Sequence, residues 1–181
     1  MTALAPGSTI GILGGGQLGR MLAMAAARLG LKCHVYSDQP GPAFDVAARS
    51  TVGAFEDAPR IAEFARGVDV ITYEFENVPL AAAAAAQEWA PVRPGPKALA
   101  AAQDRLEEKR FISSLGVPVA PFAAVDSAED LEPALTAVGP EAILKARCLG
   151  YDGKGQVAVR SASDLPAAFA ALGRVPSVLE G

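Results

Sequence analysis

The stretch TIGILGGGQLGR (9–20) limits the fold more than any other part of the chain. The β-branched and apolar run STIGIL (8–13) reads as a buried strand. Gly14, Gly16 and Gly19 follow in the pattern G-x-G-x-x-G. QLGRMLAMAAARLG then places Leu18, Met21, Leu22, Ala25 and Leu29 on one helical face, with Gly30 as a stop. KCHVYS (32–37) reads as a second strand ending at Asp38. This is a β-α-β unit, whose strands run parallel with a right-handed crossover. At the end of its first strand, glycines let the backbone approach closely and a helix N-terminus presents free N–H groups. Such a turn suits an anion.

Which anion is left open by this stretch alone. Asp38 lies about 20 residues beyond the glycines, where a dinucleotide-binding unit places its ribose-binding acid. A monophosphate would be held by the same amides. Glycines also serve tight strand-to-helix packing without any ligand. Two features count against a dinucleotide: no second β-α-β half follows, and a second glycine-rich element, KARCLGYDGKGQ, occurs in a different setting.

Farther on, GPAFDVAARSTVG reads as a loop, a short helix and a brief strand, and PRIAEFARG as a helix. DVITYEFE (69–76) reads as a strand on which Glu74 and Glu76 alternate with Tyr73 and Phe75 and so share one face. Asn77 is the expected N-cap of the helix NVPLAAAAAAQEWA, with Pro79 in its first turn. The proline-dense APVRPGPKA marks a domain boundary, giving domains 1–96 and 97–181. Beyond it, Asp104 caps RLEEKRFISSLG, Ser127 caps SAEDLEPALTAVG, and Gly116 ends the former. AILKAR and QVAVR are strands joined by too few residues for a crossover helix, and hence antiparallel. SASDLPAAFAALG is helical and SVLEG opens a strand. The first half is α/β and the second α+β.

The 181 residues suffice for one or two domains with a real core. A net charge of −4 with no basic stripe argues against a nucleic-acid partner. No apolar run reaches membrane-spanning length, and the first basic residue, Arg20, follows the first apolar run, so no signal-peptide n-region is present. Cys33 and Cys148 are far apart, fit neither a metal pair nor a disulfide framework, and suit a reducing cytoplasm. His34, the single histidine, sits on a strand and reads as structural.

The second glycine element places Gly150, Gly153 and Gly155 between two strands, with Lys145 just before it and Lys154 inside it. A flexible hairpin with cations and free N–H groups can cover a triphosphate, and an ordinary long hairpin would read the same way. KARCLGYDGKGQ and QDRLEEKRF together resemble the nucleotide-binding part of ATP-grasp enzymes. With GILGGGQLGRML and VITYEFENVP added, the chain resembles the N-terminal half of the 5-(carboxyamino)imidazole ribonucleotide synthase family, over essentially its whole length. The resemblance implies an α/β, Rossmann-like pre-ATP-grasp domain followed by the α+β opening part of an ATP-grasp domain. It implies ATP-dependent carboxylation of aminoimidazole ribonucleotide with bicarbonate, in a cytoplasmic enzyme that is a homodimer at full length. An NAD-dependent oxidoreductase fragment and a non-catalytic phosphate-binding module stand as the alternatives.

By the same resemblance, Gly16, Gln17 and Leu18 lie at the ribonucleotide phosphate, and Glu74, with Glu76 and Asn77 behind it, faces the aminoimidazole or bicarbonate. Arg105 contacts the nucleotide and Lys145 reaches the ATP phosphates. Gly150, Tyr151, Asp152, Gly153, Lys154, Gly155 and Gln156 form the glycine lid, with Tyr151 near bicarbonate. Glu180 and Gly181 begin the adenine-binding hinge. The Mg²⁺ ligands are expected downstream of Gly181, and this chain alone is expected not to complete the reaction.

Overall fold

The structure is a computed structural model and describes residues 3–150 and 153–181. It divides into two compact units, Met1–Ala100 and Ala101–Gly181. The expected roles of Tyr151 and Asp152 lie outside the described residues.

The first unit runs β1 (Thr9–Leu13), α1 (Gln17–Arg28), β2 (Lys32–Ser37), a 3₁₀ turn (Pro42–Asp45), β3 (Arg49–Val52), α2 (Ala58–Arg66), β4 (Val70–Tyr73) and α3 (Leu80–Gln87). Its four strands pair in parallel in the order β3-β2-β1-β4. Successive residues of β1 point to opposite faces, and both faces are covered. Leu13 and Tyr36 join Ile61, Phe64 and Ile71 on one side; Ile12, Cys33 and Val35 join Ala23 and Ala26 of α1 on the other.

Two expectations are corrected here. The strand over 69–76 is only Val70–Tyr73. Its neighbour β1 ends at Leu13, whose carbonyl accepts the Glu74 amide at 3.1 Å; Gly14, at φ +107°, then turns that neighbour away and leaves Phe75 without a ladder. Glu74 and Glu76 therefore share no strand face. Asn77 does not cap α3, which starts at Leu80 after Pro79. The residue before a proline is pushed out of helical conformation, so the helix waits for the proline. Asn77 instead donates its side-chain amide to Glu76 at 3.3 Å. The Leu18, Met21, Leu22 and Leu29 side of α1 is exposed, as is Met24. α1 meets the sheet through Gly19, Ala23 and Ala26, small residues that allow a close approach.

His34 is buried in the first unit, with Nε2 2.9 Å from Thr51 Oγ1 and its ring edge-on to Phe64. Burial, and then the charge of Arg49, lower its pKa from 6.5 to about 4. The unfolded chain thus binds the extra proton between those values, so stability rises with pH across that window. We expect wild-type stability to fall by on the order of 2 kcal/mol between pH 6.5 and 5 from this group. Denaturant titrations of wild type and His34→Gln across that range test it: the variant should show a shallower slope, and equal slopes would refute the assignment.

The second unit contains α5 (Arg105–Ser114), β5 (Phe122–Val125), α6 (Leu131–Val138), β6 (Ala142–Ala146), β7 (Gln156–Val159), α7 (Leu165–Ala171) and β8 (Ser177–Glu180). Before it, α4 (Pro96–Gln103) crosses the division between units. The sheet is antiparallel throughout, in the order β5-β8-β6-β7, with β6 and β7 paired as expected. One face, through Val125, Leu144, Val159 and Leu179, packs on Leu131 and Ala134 of α6 and Leu165 and Phe169 of α7. By strand alternation the other face carries Phe122, Lys145 and Glu180. Asp104 caps α5 by accepting the Leu106 and Glu107 amides, and Ser127 and Asp130 form a reciprocal capping box. Both cysteines are free, Cys33 buried and Cys148 exposed.

Candidate functional site

The glycine turn of the first unit is built around Glu74. One carboxylate oxygen accepts the Gly16 amide and the other accepts the Gly19 amide, the latter at 2.5 Å. A Cβ at Gly14 would lie 2.6 Å from the Glu74 side chain, at Gly16 2.8 Å and at Gly19 2.9 Å. All three glycines of G-x-G-x-x-G thus make room for the chain's own carboxylate. Charge-assisted bonds from a helix N-terminus are among the stronger contacts available to such a group. Among the described residues the next two amides of the first helical turn, Gln17 and Leu18, find no acceptor within the protein, and both residues are exposed. Gly16, Gln17, Leu18 and Glu74 are therefore brought together, while Glu76 is exposed beyond them and Asn77 is bonded to it.

In the second unit, Lys145 on β6 and Lys109 on α5 share one oxygen of Glu180 on β8, at 2.9 and 2.8 Å. Burial would raise the Glu180 pKa, but the two lysine hydrogen bonds outweigh it and hold the carboxyl below its usual value. One carboxylate neutralises one ammonium, so the group keeps a net positive charge on a mostly covered surface. Arg105, four residues before Lys109 and hence on the same side of α5, donates to the Gly150 carbonyl at 3.2 Å. Gly153 and Gly155 adopt φ of +75° and +71°, which glycine takes without strain, as the hairpin from β6 to β7 requires. Lys154 and Gln156 are exposed on that hairpin, and the Gly181 amide bonds the Pro121 carbonyl at 2.9 Å.

A latch that sequence reading missed holds this arrangement. Arg147, just past β6, grips Asp104 through Nε at 2.9 and 3.0 Å and through its terminal nitrogen at 2.7 Å, and reaches Asp126 at 3.3 Å. Its carbonyl accepts the Arg105 amide at 2.9 Å. Burial opposes ionisation of Asp104, but Arg147 and the two capped amides prevail and lower its pKa. Lys109 was also missed as a site residue. Its spacing from Arg105 was visible, but Glu180, its partner, is far away in sequence.

Residues 7–103 match the ribonucleotide synthetase preATP-grasp domain, and residues 110–181 match the ATP-grasp domain. The chain belongs to the ribonucleotide synthetase preATP-grasp family. Within it, the chain is 54% identical to N5-carboxyaminoimidazole ribonucleotide synthase of Brucella melitensis, over 99% of its own length and 51% of that protein's. It is similar to the Staphylococcus aureus N5-carboxyaminoimidazole synthetase structure complexed with ADP, with 36% identity and a TM-score of 0.91 over 98% of this chain and 48% of that one. The Aspergillus clavatus synthase in complex with ADP and 5-aminoimidazole ribonucleotide matches at 26% identity and a TM-score of 0.81, over 97% and 46%. The chain spans about half the length of the curated relatives it matches, and the pre-ATP-grasp and ATP-grasp parts follow in the order the resemblance implied.

Proposed function

We propose that this chain binds ATP and 5-aminoimidazole ribonucleotide as part of an enzyme that uses bicarbonate to make N5-carboxyaminoimidazole ribonucleotide. In this reading residues 1–96 form the pre-ATP-grasp domain and 97–181 the first part of the ATP-grasp domain. The observation that carries it is the cationic surplus at Lys109, Lys145 and Glu180 beside a glycine hairpin held by Arg105. A polyphosphate is the ligand that complements such a surface. The relatives' complexes with ADP, and with ADP and the ribonucleotide, agree with it.

The chemistry asks for two things from these residues. Bicarbonate attacks the γ-phosphorus of ATP, whose bond to the β,γ-bridging oxygen breaks, so that carboxyphosphate forms and ADP leaves; Lys145 offsets the charge that develops on the transferring group. The exocyclic amine of the ribonucleotide then attacks the carboxyl carbon, forming the C–N bond of the carbamate as the carbon–oxygen bond to phosphate breaks, inorganic phosphate leaves and the amine gives up a proton. Glu74 supplies a fixed negative end for that amine, and the Gln17 and Leu18 amides supply donors for the 5′-phosphate. Closure of the hairpin would keep water from the unstable intermediate. The cytoplasmic setting and the homodimeric whole enzyme rest on the resemblance. No helix among the described residues is long and apolar enough to cross a membrane. The expected Mg²⁺ finds no ligand set among the described residues, where no group of three or more His, Cys, Asp or Glu could hold it, and no step is routed through it.

The dinucleotide alternative is disfavoured by Glu74, which takes the Gly16 and Gly19 amides that a pyrophosphate would need. Calorimetric titration of the 181-residue chain with ATP, aminoimidazole ribonucleotide and NADH separates the readings. Heat of binding for the first two and none for NADH is expected. NADH binding without ATP binding would overturn the proposal.

A further inference from the structure

Lys109 adds to the positive charge of the nucleotide site but has so far been given no task of its own; it meets the same Glu180 oxygen as Lys145, at 2.8 Å beside 2.9 Å. All three side chains are largely covered, with exposures of 15%, 16% and 19% for Lys109, Lys145 and Glu180. Lys109 is held from several sides. Its helix is capped by Asp104 and packs on β5 and β8. Its ammonium lies 5.9 Å from the centre of the Phe122 ring, and Phe122 stands directly opposite Glu180 in the β5–β8 ladder. Lys145 comes from the other neighbouring strand, β6. Glu180 therefore sits between a cation fixed by a helix and a cation at the end of a strand that leads into the glycine hairpin.

This asymmetry has a consequence for phosphate binding. A lysine that was the sole partner of a part-buried carboxylate could turn to a phosphate only by leaving that carboxylate unpaired, which is strongly unfavourable. A second, permanent cation removes this penalty. We propose that Lys109 is a positioning residue of the nucleotide site: it keeps Glu180 paired, so that the Lys145 ammonium is free to engage a phosphate. The inference rests on the proposed ATP site and adds to it a residue and a division of labour between two lysines that share one oxygen.

The test is binding of ATP and of adenosine, by calorimetry, to wild type, Lys109→Met, Lys109→Arg and the double variant Lys109→Met/Glu180→Gln. Lys109→Met should weaken ATP binding roughly tenfold, the scale of one charge-assisted hydrogen bond, and leave adenosine binding unchanged. In that variant Lys145 is bound to Glu180 alone. Lys109→Arg should bind ATP as wild type does. Adding Glu180→Gln to Lys109→Met should restore most of the lost ATP affinity, because it releases Lys145. A merely structural role would weaken adenosine as much as ATP and would not be rescued by Glu180→Gln; either result overturns the proposal. If Lys109→Met does not fold, Lys109→Gln replaces it, keeping a hydrogen-bonding end without charge, and wild-type ATP affinity in Lys109→Gln would refute the role of the cation. Failure of wild type to bind ATP overturns the nucleotide reading itself, and this inference with it.

Discussion

Gly14→Ala is expected to destabilise the first unit by about 3 kcal/mol and to lower its melting temperature by roughly 10–20 °C. Two effects add. The backbone at φ +107° is one that alanine adopts only under strain, and the new methyl would fall 2.6 and 2.7 Å from Glu74 atoms and 2.9 Å from Phe75. Moving Glu74 breaks its bonds to the Gly16 and Gly19 amides. Gly7→Ala is the control: its φ is +91°, but nothing lies within 4 Å of the added carbon, so only the backbone cost of about 1 kcal/mol remains. The mechanism is checked by a double-mutant cycle. In a Glu74→Ala background Gly14→Ala should cost at least ~1 kcal/mol less, since residues in contact couple by about that amount. Strict additivity would show that the glycine is not there for the carboxylate.

Asp104→Ala should destabilise the second unit by roughly 2–4 kcal/mol. The carboxylate caps α5 and pairs with Arg147, and its side chain is only 22% exposed. Removing it leaves a guanidinium whose remaining acidic neighbours, Asp126 and Glu107, are 61% and 47% exposed and lie at 3.3 and 3.9 Å. Asp104→Asn keeps a capping oxygen and should lose less. The pH dependence has a definite sign. The folded pKa is below the ordinary value of 3.8, so this stabilisation is present above that value and disappears as pH falls through the folded pKa. Thermal melts of both variants at neutral pH and in acid measure it. A neutral-pH melt of Asp104→Ala matching wild type would refute the latch.

Much of the architecture could be read along the chain because it is written in local pattern. The strand–glycine–helix opening and the short link between AILKAR and QVAVR each dictate their structure within a few residues. So do Asp104 and Ser127, whose side chains bond amides two or three positions ahead. The misreadings have the same physical origin. Where β4 stops depends on where β1 turns away. Glu74 was visible as a candidate from its motif, but not that it folds back on the glycines 55 and 58 residues earlier. Arg147 and Lys109 escaped because their partners, Asp104 and Glu180, are distant along the chain.

The seat that Glu74 takes at the head of α1 also gives that end of the sheet a direction. Negative charge sits over Gly16 and Gly19, while the amides of Gln17 and Leu18, two exposed residues between them, are left for another acceptor. A small molecule with a hydrogen-bond donor at one end and a phosphate at the other meets opposite preferences there. It has one favourable way round there, and the reverse pose would set phosphate against carboxylate.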